Sequence, residues 1–251
     1  MLLAEKELEW KSYYVELGRG EQLTPEFLAL NPKGVVPVLV HDGVVVTEST
    51  IIAEYIEESF PVPALMPAEP AGKARVRYWT KQTDEEIHLP RTIALSWPLA
   101  LRNIYMEKFP SVAARAEYLA GIVSADAREI KRQSFERGYK APIFKDAVLF
   151  FDALCEKMNT HLEAARWLAN NVFTLAEINL VPYLLRLEDL QLSILWRNRP
   201  ALSDWYARIK ARPAWLTGIT AWDDAQWKRR MREAGAVAQL EIERILDDAR
   251  V

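Results

Sequence analysis

The sequence predicts a small α/β domain followed by an all-helical one, and three observations predict it. Val35–Val40 and Val44–Thr47 are β-branched runs joined by His41-Asp42-Gly43, and Asp-Gly between such runs is a strong hairpin signal. Pro61, Pro63, Pro67 and Pro70 then crowd one short stretch, a density no helix or ladder tolerates. Beyond it, apolar residues recur at helical spacing and no alternating run follows. The expected division is an α/β domain over 1–60, a linker over 61–70 and an all-α domain over 71–251.

Along the first domain, Leu2, Leu3 and Leu8 give 2–8 the apolar face of a short helix. Tyr13–Leu17 reads as a strand ended by Gly18-Arg19-Gly20. Thr24 offers an N-cap and Pro25 suits the first helical position, so a helix is expected until Asn31-Pro32 stops it. After the hairpin, Ile51, Ile52, Tyr55 and Ile56 mark a helix that opens at Glu48. In the second domain, helix breaks are expected near Pro90, Pro98 and Pro110, over Gly138–Pro142, at Asn170-Asn171 and at Arg199-Pro200. Thr174-Leu175-Ala176-Glu177 has the spacing of a capping box. Leu180, Leu184 and Leu187 continue that helix into the core, with a kink expected at Pro182.

Composition narrows the class. The chain is 50% hydrophobic and 27% charged, the balance of an ordinary globular protein and not of a disordered or fibrous one. A net charge of −3 supplies no field for nucleic acid or an anionic membrane. One cysteine, Cys155, cannot form an internal disulfide and points to a reducing, cytoplasmic setting. No apolar run reaches the roughly 20 residues of a membrane helix, and the charged opening MLLAEKELEW is unlike a signal peptide.

Taken in order, several motifs resemble the glutathione transferase superfamily across residues 2 to about 216. They are Asn31-Pro32-Lys33-Gly34-Val35-Val36-Pro37-Val38-Leu39, Thr47-Glu48-Ser49-Thr50, the Thr174–Glu177 box, Arg199-Pro200-Ala201-Leu202-Ser203-Asp204-Trp205-Tyr206 and Ala211-Arg212-Pro213. Tyr78-Trp79-Thr80-Lys81, Asp84–His88 and the long tail after Trp215 look more like the bacterial β-etherase-type branch. The resemblance implies a thioredoxin-like first domain that holds glutathione as cosubstrate and a helical domain that shelters a hydrophobic electrophile. It also implies a homodimer. By that likeness a cis Pro37 turns the Val36 backbone outward to pair with the cysteinyl unit. Glu48 and Ser49 hold the γ-glutamyl end at a helix N-terminus, and Lys33 takes the glycyl carboxylate.

Compared with that family, the sequence as written opens inside the first helix, so a first strand and its loop, about 15–25 residues, are expected upstream. The residue that activates the thiol is expected there too, before Met1. A glutathione thiol left near a pKa of about 8.5 is only a few per cent thiolate at neutral pH. Either the natural chain starts earlier, or a shortened protein binds without catalysing. The reaction expected is conjugation, or ether cleavage, on a hydrophobic and possibly aromatic electrophile. A non-catalytic binding or scaffold module is the alternative, and an unrelated helical protein with an α/β cap is the third reading.

The other reactive side chains have plainer explanations. Cys155 follows Phe150, Phe151 and Leu154 on a helical pattern and reads as a packing thiol. His41 reads as a solvated turn residue, and His161 stands alone near a helix end. His88 and Glu85 are placed to touch substrate if their helix faces the cleft, but a polar helix face accounts for them as well. This set lacks metal-ligand spacing, so no metal is expected. Most of the tryptophans are expected in the core. The Lys228–Arg232 cluster reads as one face of a solvated tail.

Overall fold

The computed structural model describes residues 1–122 and 124–250. Its N-terminal part holds helix α1 (Leu2–Glu5), helix α2 (Pro25–Leu30), strands β1 (Val38–His41) and β2 (Val44–Thr47), and helix α3 (Ser49–Ser59). The strands pair antiparallel from Val38–Thr47 to His41–Val44. Asp42 and Gly43 turn with φ of 48° and 79°, both left-handed, as a two-residue type I′ turn requires. Thr24 caps α2 through its hydroxyl, which accepts from the Phe27 N–H, with Pro25 in the first turn.

Two expectations fail here. Tyr13–Leu17 is not a strand: it pairs with no ladder among the described residues, and Tyr13 and Tyr14 are 75% and 84% exposed. β-propensity makes a strand only where a neighbour satisfies its backbone. His41 is not simply solvated either. It ends β1 half-buried, its Nδ1 2.8 Å from the Tyr55 hydroxyl and its ring against Phe60.

The rest is helical: α4 (Pro70–Gln82), α5 (Ala94–Ser96), α6 (Arg102–Lys108), α7 (Val112–Ala120), α8 (Ala125–Arg137), α9 (Pro142–Ala164), α10 (Leu175–Asp189), α11 (Pro200–Lys210), α12 (Pro213–Gly218), α13 (Ala225–Val237) and α14 (Gln239–Asp248). The chain does not break at Pro90 or Pro98. It widens into π-helical turns over Thr83–Ile93 and Trp97–Leu101. Proline lacks the N–H of an α-helical bond and crowds the carbonyl four residues back; a wider turn relieves both. The Thr92 hydroxyl donates to the Ile87 carbonyl at 3.0 Å and helps satisfy the loosened turn. Helix α10 runs on through Pro182.

The core lies among α4, α9, α10 and α11, where Phe144, Phe151, Met158, Leu180, Leu184 and Trp205 are fully enclosed. Cys155 is enclosed with them, and burial pushes its thiol up to about 12, so it stays protonated and inert. The capping box forms as expected. Glu177 accepts from the Thr174 N–H at 2.9 Å and also from the Leu168 N–H at 2.6 Å, so the same carboxylate ties the preceding loop to α10.

A second buried carboxylate ties the linker to the first domain. Lys6, whose side chain is wholly buried, pairs with Glu57 and donates to the Phe60 and Pro63 carbonyls at 2.7 Å each. Glu57 also accepts from the N–H groups of Leu65 and Met66 at 2.9 and 3.0 Å. The Leu65 carbonyl then accepts from the Leu175 N–H at 2.9 Å. Glu57→Ala strands a buried ammonium and two amides, so it should cost about 3–5 kcal/mol of stability in denaturant unfolding. A loss below about 1 kcal/mol would contradict this role for the pair.

Candidate functional site

The candidate site is the region where the head of β1 and the start of α3 meet the π turn over Thr83–Ile93 and α10. Asn31 shapes its first edge: buried, it donates to the Val35 carbonyl at 2.7 Å and accepts from the Lys33 N–H at 3.1 Å. Gly34 makes the turn with φ of 61°, a left-handed conformation that favours glycine, and a Cβ there would crowd the Leu23 side chain and the Gln22 carbonyl. The Val36–Pro37 peptide is cis, and Val36 is exposed. Among the described residues, neither the N–H nor the carbonyl of Val36 has a partner.

The hairpin register brings the second edge alongside. With Val38 opposite Thr47, Pro37 and Val36 run out beside Glu48 and Ser49. Glu48 caps α3 with φ of 68°, a region that costs a non-glycine residue about 1–3 kcal/mol. Strain of that size persists where the surroundings enforce it, commonly at binding sites. The first amides of α3 have no helical acceptor, and together with the helix dipole they favour an anion beside the exposed Ser49. Lys33 reaches across to Glu48, Nζ to Oε1 2.6 Å. The structure therefore brings Lys33, Val36, Pro37, Glu48 and Ser49 to one edge.

The opposite wall comes from the helical domain. Thr50 donates to Asp84 Oδ2 at 2.7 Å, latching α3 to the π turn. One turn beyond Asp84, the His88 ring meets Tyr183 of α10 edge-on, with centroids 6.2 Å apart. The packed surroundings hold the imidazole below its ordinary value of 6.5, outweighing the Asp84 and Glu48 charges that would raise it. Burial, reinforced by Asp84, pushes the Tyr183 phenol up, so it remains a hydrogen-bond donor. Glu85 faces away in an exposed pair with Lys81 at 3.2 Å. Reading the sequence placed His88 near the cleft if its helix faces it, held Thr50 and Asp84 only as parts of motifs, and missed Tyr183. Their contacts span 34 residues or more in the case of Thr50 and Asp84, and nothing in the local pattern carries that pairing.

The His88 direction has a measurable consequence. Between 6.5 and its lower folded value, the unfolded chain binds a proton that the folded chain does not. The stability this group contributes is thus complete above 6.5 and is lost as pH falls through that window. A histidine-resolved NMR titration should give His88 a midpoint below 6.5; a midpoint at or above it would contradict burial as the dominant influence.

Comparison with known proteins agrees with this layout. Residues 1–59 match the glutathione S-transferase N-terminal domain, and residues 147–213 match the glutathione S-transferase C-terminal domain. The protein LigF of Sphingobium sp. (strain NBRC 103272 / SYK-6) is 29% identical over 218 residues, 84% of each chain. The crystal structure of beta-etherase LigF superposes with a TM-score of 0.76 at 27% identity, over 88% of this chain and 92% of that one. Glutathione S-transferase 1 of Dianthus caryophyllus is 50% identical over 64 residues, 26% of this chain and 29% of its own. A Burkholderia graminis glutathione transferase, solved with two glutathione molecules bound per subunit, shares the fold at a TM-score of 0.62 and 20% identity, over 89% of this chain and 82% of that one. The small N-terminal domain is thioredoxin-like, and the chain belongs to the glutathione S-transferase superfamily.

Proposed function

We propose that this protein is a glutathione-dependent transferase whose second substrate is a hydrophobic, aromatic electrophile, ethers included. The observation that carries the reading is the free Val36 backbone set by the hairpin register beside the strained N-terminus of α3. The Val36 N–H and carbonyl pair with the cysteinyl unit of glutathione as an added strand would. The γ-glutamyl carboxylate sits on the first amides of α3 and the Ser49 hydroxyl, while Glu48 accepts from its ammonium. Lys33, 71% exposed on a flexible stem, leaves Glu48 as that ammonium arrives and turns to the glycyl carboxylate.

The electrophile lies against the other wall, toward His88 and Tyr183. The thiolate sulfur attacks the carbon that bears the leaving group, forming the C–S bond as the C–O bond of an ether breaks. The departing oxygen keeps the electron pair and takes a proton. Holding both reactants in one crevice supplies most of the rate gain through orientation. Likeness to the beta-etherase supports an ether as one such substrate. Exposed Ile51 of α3 and Tyr78 of α4 offer apolar surface to a second copy in a homodimer, and the single buried cysteine suits a cytoplasmic setting.

Calorimetric titration tests the binding half. Ser49→Ala should weaken glutathione about tenfold, the loss of one hydrogen bond to a charged group, with the thermal midpoint unchanged. Unchanged affinity would remove Ser49 from the site. Thioether formation from an aromatic ether and glutathione, followed by mass spectrometry, tests the chemistry. Binding without product would make the protein a glutathione-binding module.

A further inference from the structure

A cluster of aromatic side chains lies where the second π turn meets α6, α7 and α8. Trp97 and Phe135 form its buried bottom, edge to face with centroids 5.0 Å apart. Three half-buried rings lie over them: Tyr105 is 4.9 Å from Trp97 and 5.3 Å from Tyr118, and Phe109 stacks on Tyr118 at 4.7 Å. Rings at these separations attract beyond the area they bury, so the cluster holds its shape.

Three basic side chains stand against these rings, and they are not alike. Lys108, over Phe109, donates to the Gly18 carbonyl at 2.8 Å. Arg115, over Phe135, donates to the Phe109 and Pro110 carbonyls at 2.9 and 2.8 Å. Lys131 of α8 has neither a carbonyl nor a carboxylate. Among the described residues its one hydrogen-bond partner is the Tyr118 hydroxyl, 2.9 Å from Nζ, and its other neighbours are the faces of Trp97 and Tyr118, with centroids 5.7 and 5.3 Å away. Glu129 and Glu136, which flank it on α8, are both bridged to Arg132, at 2.6 and 2.7 Å.

An ammonium there would bring three donors to a single phenol oxygen. Burial accordingly holds the Lys131 amine below its ordinary value of 10.5, with no charged group opposing it. Burial, with Tyr105 beside it, pushes the Tyr118 phenol up, so it keeps its proton. A lysine desolvated among apolar groups is a nucleophile through its free amine, and a carbonyl carbon is its characteristic target. Tyr118 is placed to serve as the proton donor that such an addition needs. The Lys131 nitrogen attacks the aldehyde carbon with its lone pair, the carbonyl oxygen takes the phenol proton, and the phenolate regains one from the nitrogen. The carbinolamine then loses its hydroxyl and the last nitrogen proton as water, which leaves an imine and calls for no oxidant or reductant. A neutral imine puts no charge among the rings, and the half-buried rings offer faces to an aromatic body. We infer that Lys131 binds an aromatic aldehyde covalently, as an imine, against Trp97, Tyr105 and Tyr118.

Peptide mass spectrometry tests it on the full chain treated at neutral pH with benzaldehyde and cyanoborohydride, since the reductant fixes each imine as a benzylamine. Lys131 should be labelled about tenfold faster than the exposed Lys73 and Lys145, as a free amine in place of an ammonium allows. Tyr118→Phe keeps the ring and removes the proton donor, so it should slow Lys131 several-fold and leave the exposed lysines as they were. Acetaldehyde, which has no ring to stack, should show a much smaller preference for Lys131. Labelling of Lys131 no faster than the exposed lysines, an unchanged Lys131 rate in the Tyr118→Phe variant, or an equal preference with acetaldehyde would each overturn the inference. The comparison of lysines within the unaltered chain decides the matter even if that variant fails to fold.

Discussion

The buried carboxylate of Glu57 ties the proline-rich linker to the first domain. It neutralises Lys6, the residue that ends α1, accepts two backbone amides from the proline-rich linker, and sits near the C-terminal end of α3. Through Leu65 the linker is bonded in turn to the first residue of α10. An ion pair this deep adds little net stability over a well-packed apolar pair, but its geometry is unforgiving, because each donor left without a partner is costly. It holds one end of α3 still. The other end is the edge proposed to hold glutathione, latched to the π turn by Thr50 and Asp84. Helix α3 is thus held by polar contacts near both of its ends.

Function follows from what those contacts leave unsatisfied. The Val36 backbone, the first amides of α3 and the Ser49 hydroxyl are the polar groups presented along this edge, and extended peptide with a terminal carboxylate is what they complement. The facing wall has a different character. There a largely neutral imidazole and a protonated phenol stand on packed helices, polar enough to orient an oxygen and too weakly charged to reject an aromatic ring. One crevice thus offers a peptide-like edge and a hydrophobic wall, as a two-substrate transfer requires.

Much of this was legible locally. The Asp42-Gly43 turn, the Thr24 cap and the Thr174–Glu177 box each depend on neighbours within a few residues, and each formed as expected. Pro90 and Pro98 read as breaks because proline forbids the α-helical bond; a buried helix kept its course by widening, a tertiary accommodation no local pattern encodes. Tyr13–Leu17 carried strand propensity without a ladder to join. The motif resemblance named Lys33, Val36, Pro37, Glu48 and Ser49, but it did not reveal that Lys33 rests on Glu48 or that Glu48 is strained.

The most direct test of the account is an amide-resolved NMR titration of the full chain with reduced glutathione. The amides of Val36 and of Glu48 through Ile51 should shift most, with the Asp84–His88 turn moving less. Shifts centred elsewhere, or none at saturating glutathione, would contradict the claim that the β1–α3 edge holds this ligand.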